Sequence, residues 1–277
     1  MRLLAIVCLL VATATAAPRD EDVWLGDLTD RVVRDLEAGK PLTVSVHVPL
    51  CESSIIPCGN AKLGDGDNPE TNLYWSTTPG FGRWFARKGG GWKRTRATND
   101  TGDPDVLLLH TYERTITTPA TWQKRGAPKR ATIEIVIRAW RGTAIDRALA
   151  AYAAELSGGE AQIVAWVGHN RLMDVDAYAW PAPSSTTTGA IAIACHTAAY
   201  MEKPVPAATR VPLLMTRDFL FANAAPLEAA VLAFASGGGY AKIRLDAATA
   251  YAGVRKREVK HVAGAFTNPA DRRWAKR

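Results

Sequence analysis

The chain has 277 residues, with 34 Lys or Arg against 27 Asp or Glu and a net charge of +7. That excess is modest for the length and calls for no nucleic-acid partner. No linker divides the sequence, so its size suits one elaborated domain at the upper end of what a single core supports.

Met1 to about Ala16 has one positive charge at Arg2, an apolar run from Leu3 to Val11, and small residues at Ala14 and Ala16. This is the three-part layout of a cleavable secretion signal. Pro18 disfavours cleavage after Ala17, which leaves Ala17 as the expected first residue of the mature chain. The apolar run is far short of the roughly 20 residues a spanning helix needs, so no transmembrane anchor is expected after cleavage. Residues 17–277 are expected outside the cell or in the periplasm, as one domain with a basic helical tail that includes Arg255, Lys256, Arg257, Lys260, Arg272, Arg273, Lys276 and Arg277.

Residues 20–39 place Leu25, Leu28, Val32, Val33 and Leu36 on one helical stripe, ended by Gly39 and Pro41. Thr43 to Leu50 is β-branched and reads as the first strand, followed by a glycine-, asparagine- and aspartate-rich loop to Pro69. From Asn72 to Arg87 the aromatics predict a helix broken at Pro79-Gly80, and Lys88 to Pro104 reads as a loop. Val106–Ile116 and Thr132–Trp140 are extended runs expected to pair. Thr143–Leu156 has Ile145, Leu149, Tyr152 and Leu156 on one face and stops at Ser157-Gly158-Gly159, a helix with a glycine stop.

Three short continuous apolar runs follow, Gln162–Val167, Ala190–Ala194 and Val211–Met215, of the kind buried on both faces in parallel sheets. Pro226–Ala235 is a helix with Asn223 placed to cap it, and Ile243–Val262 is the last helix. The rhythm predicts an α/β fold, an open and mostly parallel sheet with helices on both faces.

In such sheets ligands bind beyond the carboxyl ends of the strands. One buried run delivers Gly168-His169-Asn170 at its end, and the next delivers Cys195-His196-Thr197. If the two strands are parallel neighbours, His169 and Cys195 stand at one rim. An imidazole within reach can take the proton of a thiol and so make it a nucleophile. A helix beginning at Thr197 would stabilise the thiolate through its dipole, and the amides around Gly168, Asn170 and Cys195 are candidates to receive an oxyanion.

After cleavage Cys51, Cys58 and Cys195 remain. Cys51 and Cys58 are close enough in sequence to close a small loop disulfide, which leaves Cys195 without an obvious partner. The loop after the first strand is expected to reach the same rim, bringing Asp65, Asp67, Asn72 and Tyr74 toward substrate. Asp174 and Asp176 are placed either to bind a basic substrate side chain or to solvate the crossover. Asp65 and Asp67 suggest a calcium loop, but Pro69 occupies a ligand position, and no other metal, phosphate or serine-nucleophile motif is present. No metal or cofactor is expected.

From about Thr43 to Ala235, the order of strands and helices with His169 and Cys195 at successive strand ends resembles the caspase-like cysteine peptidases, the group that includes gingipain-, clostripain- and legumain-like enzymes. The resemblance implies that Cys195 is the nucleophile, that His169 is the base or orienter, and that the substrate is a peptide or protein. Gly64 to Trp75 (G-D-G-D-N-P-E-T-N-L-Y-W) also resembles a segment of exported bacterial proteins. Asn170 stands where that group carries glycine, which motivates a second reading as a catalytically silent binding domain of the same fold. Nine tryptophans with Asp65, Asp67 and Glu70 motivate a third, carbohydrate binding or hydrolysis.

Overall fold

The structure is a computed structural model that describes residues 20–205 and 209–268. The segment expected to be a secretion signal, Met1 to Ala16, and the tail residues Arg272, Arg273, Lys276 and Arg277 lie outside the described residues. Among the described residues no helix is long and apolar enough to cross a membrane.

Eight strands form the sheet: β1 (Leu42–Pro49), β2 (Lys93–Thr98), β3 (Val106–Thr117), β4 (Arg130–Trp140), β5 (Ile163–Val167), β6 (Thr188–Ile193), β7 (Arg210–Thr216) and β8 (Phe266–Thr267). Their spatial order is β2-β3-β4-β1-β5-β6-β7-β8. The central strands β4, β1, β5, β6 and β7 run parallel. At one edge β3 pairs antiparallel with β4, and β2 antiparallel with β3; at the other, β8 pairs antiparallel with β7. The expected α/β sheet is therefore present, mostly parallel, with antiparallel edges.

The runs Ile163–Val167, Gly189–Ile193 and Val211–Met215 in β5, β6 and β7 are apolar because both faces of the sheet are covered there. Every residue of β5, β6 and β7 is buried. On one face Val44, Val46, Ile163, Ala165, Val167, Ile191 and Ile193 pack against α1 (Asp20–Glu37), α6 (Ala225–Ala235) and α7 (Tyr240–Arg255). On the other, Val164, Trp166, Ala190 and Ala192 pack against α4 (Ile145–Leu156) and α5 (Thr197–Met201). Burying each large side chain here contributes about 1.5–3 kcal/mol.

Three sequence expectations change. The segment expected to be a loop between Lys88 and Pro104 contains β2, an edge strand whose Lys93, Arg94 and Arg96 face solvent, which discourages further strand pairing. Asn72 to Arg87 is a run of turns with one short helix, α2 (Phe81–Trp84), rather than a broken long helix. The last helix divides at Lys256, whose left-handed φ of 51° ends α7 before the short α8 (Val259–Val262). A short helix, α3 (Ala120–Gln123), lies in the β3–β4 connection.

Candidate functional site

The exits of β5 and β6 lie side by side. Val167 pairs with Ile193 at the end of the parallel ladder, and both pack into the same core. His169 and Cys195 each follow two residues later. Between them Gly168 donates its N–H to Ile193 O at 3.4 Å and adopts a φ of +140°. A Cβ at this position would come within 3.2 Å of Pro49 O, so the turn requires glycine. The Asn170 side chain is fully buried. Its Nδ2 donates to Cys195 O at 2.7 Å, and its Oδ1 accepts from Leu172 N at 3.2 Å, starting the short turn Arg171–Met173.

The His169 ring is held from one side. Its Nε2 lies 2.6 Å from Asp174 Oδ2, and Trp166 Nε1 donates to its backbone carbonyl at 3.0 Å. Arg171 donates to the same Asp174 oxygen at 3.3 Å while binding both oxygens of Asp146 at 2.6 and 3.1 Å. A carboxylate can only accept, so this contact favours the tautomer with the proton on Nε2 and leaves Nδ1 as the basic nitrogen.

Cys195 is a free thiol, half-buried and outside both apolar cores. Its Sγ donates to Leu220 O at 3.9 Å. Among the described residues no hydrogen bond joins the sulfur to His169. The next residue, His196, takes a left-handed φ of 51° that turns the chain sharply from β6 into α5. That backbone costs about 1–2 kcal/mol in a residue with a Cβ. It is offset by His196 N–H donating to Asp218 O at 3.2 Å and Nδ1–H to Arg217 O at 2.7 Å. Residues 217–220 therefore clasp the Cys195-His196 turn from the β7 side, and Phe219, 71% exposed, sets its ring edge-on to His196.

Of the loop residues expected at the rim, Tyr74 reaches it. Its ring packs beside Gly168, and its phenol is held well above its ordinary value, first by burial and then by the charge at neighbouring Cys195. Asn72 must be corrected. It is fully buried, and its amide bonds Cys51 N, Cys51 O, Asp65 O and Tyr74 N, so it braces the loop and has no atom left for substrate. Asp65 is exposed in a turn, where its carboxylate accepts from Asp67 N.

Asp174, expected to meet substrate, presents its Oδ2 to His169 and Arg171. Of the groups expected around an oxyanion, the Gly168 N–H lies 3.4 Å from Ile193 O, and the Asn170 side chain serves Cys195 O and Leu172 N. The dipole argument also weakens, since α5 spans only Thr197–Met201 and donates Thr197 N–H to Thr216 Oγ1. Cys51 and Cys58 are joined by a disulfide. The partners that sequence reasoning missed are Asp174 behind the imidazole and the Leu220 carbonyl beside the thiol. The first left a faint signal in the spacing His169–Asp174 across a turn, the second none.

Among the described residues no group of histidine, cysteine and carboxylates could hold a metal ion. Comparison with protein-family models, with curated proteins and with solved structures finds no match to this chain.

Proposed function

We propose that this protein is an exported cysteine hydrolase of caspase-like architecture that cleaves peptide bonds, with Cys195 as nucleophile, His169 as base and Asp174 as the carboxylate that orients the ring. The observation that carries this reading is the His169–Asp174 contact at 2.6 Å on the strand exit beside the one that ends in Cys195. A structural histidine at a rim needs no such tautomer control, whereas a base does.

The chemistry follows from those roles. Cys195 Sγ rotates from Leu220 O toward the imidazole and gives its proton to Nδ1. The sulfur attacks the carbonyl carbon, and the C–N bond breaks as the imidazolium returns the proton to the leaving amine. Water, deprotonated by the same nitrogen, then hydrolyses the thioester and restores the thiol. A catalytically silent binding domain is the second reading, favoured by Asn170 and by a thiol whose proton points at Leu220. Carbohydrate chemistry ranks third, since Trp75, Trp122, Trp140 and Trp166 are buried in the cores.

Digestion of a proteome-derived peptide mixture, with products read by mass spectrometry, tests the proposal. The reading requires new termini of consistent sequence from the mature protein and none from the Cys195→Ser variant. Identical product sets from both would remove the cysteine from the chemistry.

A further inference from the structure

Away from the strand exits, α6, α7, the segment 78–90 and Arg114 of β3 line an open groove of about 960 Å³. Its walls are two helical stripes of small and aliphatic residues, Ala225, Ala229 and Leu232 on α6 and Ala250, Gly253 and Val254 on α7. Residues at those spacings share a face of their helices, and their small size holds the groove open. Leu232, Ala229 and Val254 remain half-buried, so an apolar floor stays partly uncovered.

The rim is basic. Arg87 stacks over Trp84 at 4.0 Å from the ring centre, Arg114 over Trp92 at 5.8 Å, and Arg255 over Phe221 at 5.3 Å. One buried carboxylate, Glu228, answers the first two: it accepts from Arg87 at 2.5 Å, from Trp84 and Trp92 Nε1 at 2.7 Å each, and lies 3.7 Å from Arg114. Arg255 is exposed at the mouth and, among the described residues, has no carboxylate partner. Three guanidiniums against one acid leave the mouth positive over an apolar floor.

From this complementarity we infer that the groove binds an amphipathic carboxylate, its apolar chain lying along Ala225–Leu232 and Ala250–Val254 and its anionic head meeting Arg255. The volume is that of a small-ligand site, and a carboxylate head on an arginine gains a charge-assisted hydrogen bond. The inference stands independently of Cys195.

Calorimetric titration of sodium decanoate into the purified protein, with decanol as the uncharged control, tests it. Decanoate is expected to bind with a Kd below about 1 mM and decanol about tenfold more weakly, the difference a charged hydrogen bond supplies. Arg255→Glu, an exposed change that leaves the helix packing intact, is expected to weaken decanoate at least tenfold. Ala229→Trp, which fills the groove, is expected to abolish binding. Absence of heat from decanoate, equal affinity for decanol, or variants that bind as the parent does would each overturn the inference.

Discussion

The Asn170 amide donates to the Cys195 carbonyl at 2.7 Å while accepting from Leu172 N–H at 3.2 Å, so one fully buried side chain fastens the two strand exits that carry His169 and Cys195. Asn170→Leu keeps the volume but leaves a buried donor and a buried acceptor unpaired, at about 1–3 kcal/mol each. Thermal unfolding of this variant is expected roughly 5–10 °C below the parent, given the size of the chain. A melting temperature within a degree of the parent would show that the clasp is dispensable.

Asp174 acts through the imidazole. In Asp174→Asn the acceptor for Nε2–H is weakened and the ring loses its preferred tautomer. Peptide hydrolysis is expected to fall about a hundredfold in kcat with KM and melting temperature little changed, as for loss of an orienting group. Asp174→Glu should recover part of the rate. A variant whose loss lies wholly in KM would return Asp174 to substrate binding.

Two histidines outside the site set an acid limit on stability. Burial, with the Arg94 charge adding to it, pushes His110 down to about 4. Burial also lowers His47, which is enclosed by Trp140, Tyr152 and Glu155, with Glu155 opposing the shift and Arg138 adding to it. Both rings are neutral in the folded chain where the unfolded chain, with histidines titrating near 6.5, takes up protons. Their contribution is therefore complete above about pH 6.5 and declines as the pH falls toward 4. Urea midpoints measured at pH 7.5 and 4.5 should fall in that order, and His110→Gln should reduce the difference. A midpoint that rises on acidification would contradict the assignment.

The sheet was legible because its signal is local. Ile163–Val167, Ala190–Ile193 and Val211–Met215 are apolar on successive positions, the pattern of a strand covered on both faces. The edge strand Lys93–Thr98 was not legible, since its charges and exposure are those of a loop and only its ladder with β3 makes it a strand. The same division runs through the candidate site. His169 and Cys195 announced themselves by ending apolar runs, and Cys51 and Cys58 by their spacing. Asn72 read as a polar group available to a ligand, but folding buries it and turns its amide onto backbone. Whether a polar side chain serves the fold or a substrate depends on which backbone groups are left unpaired around it, and those are known only once distant segments meet.

The rate of alkylation of Cys195 by iodoacetamide at pH 7, followed by mass spectrometry in the parent and in His169→Ala, tests the central claim most directly. An imidazole that draws the thiol proton predicts rapid labelling at Cys195, with the Cys51–Cys58 peptide unmodified, and a rate at least about tenfold lower in the variant. Slow labelling at the same rate in both proteins would contradict it and leave Cys195 an inert thiol held by Leu220.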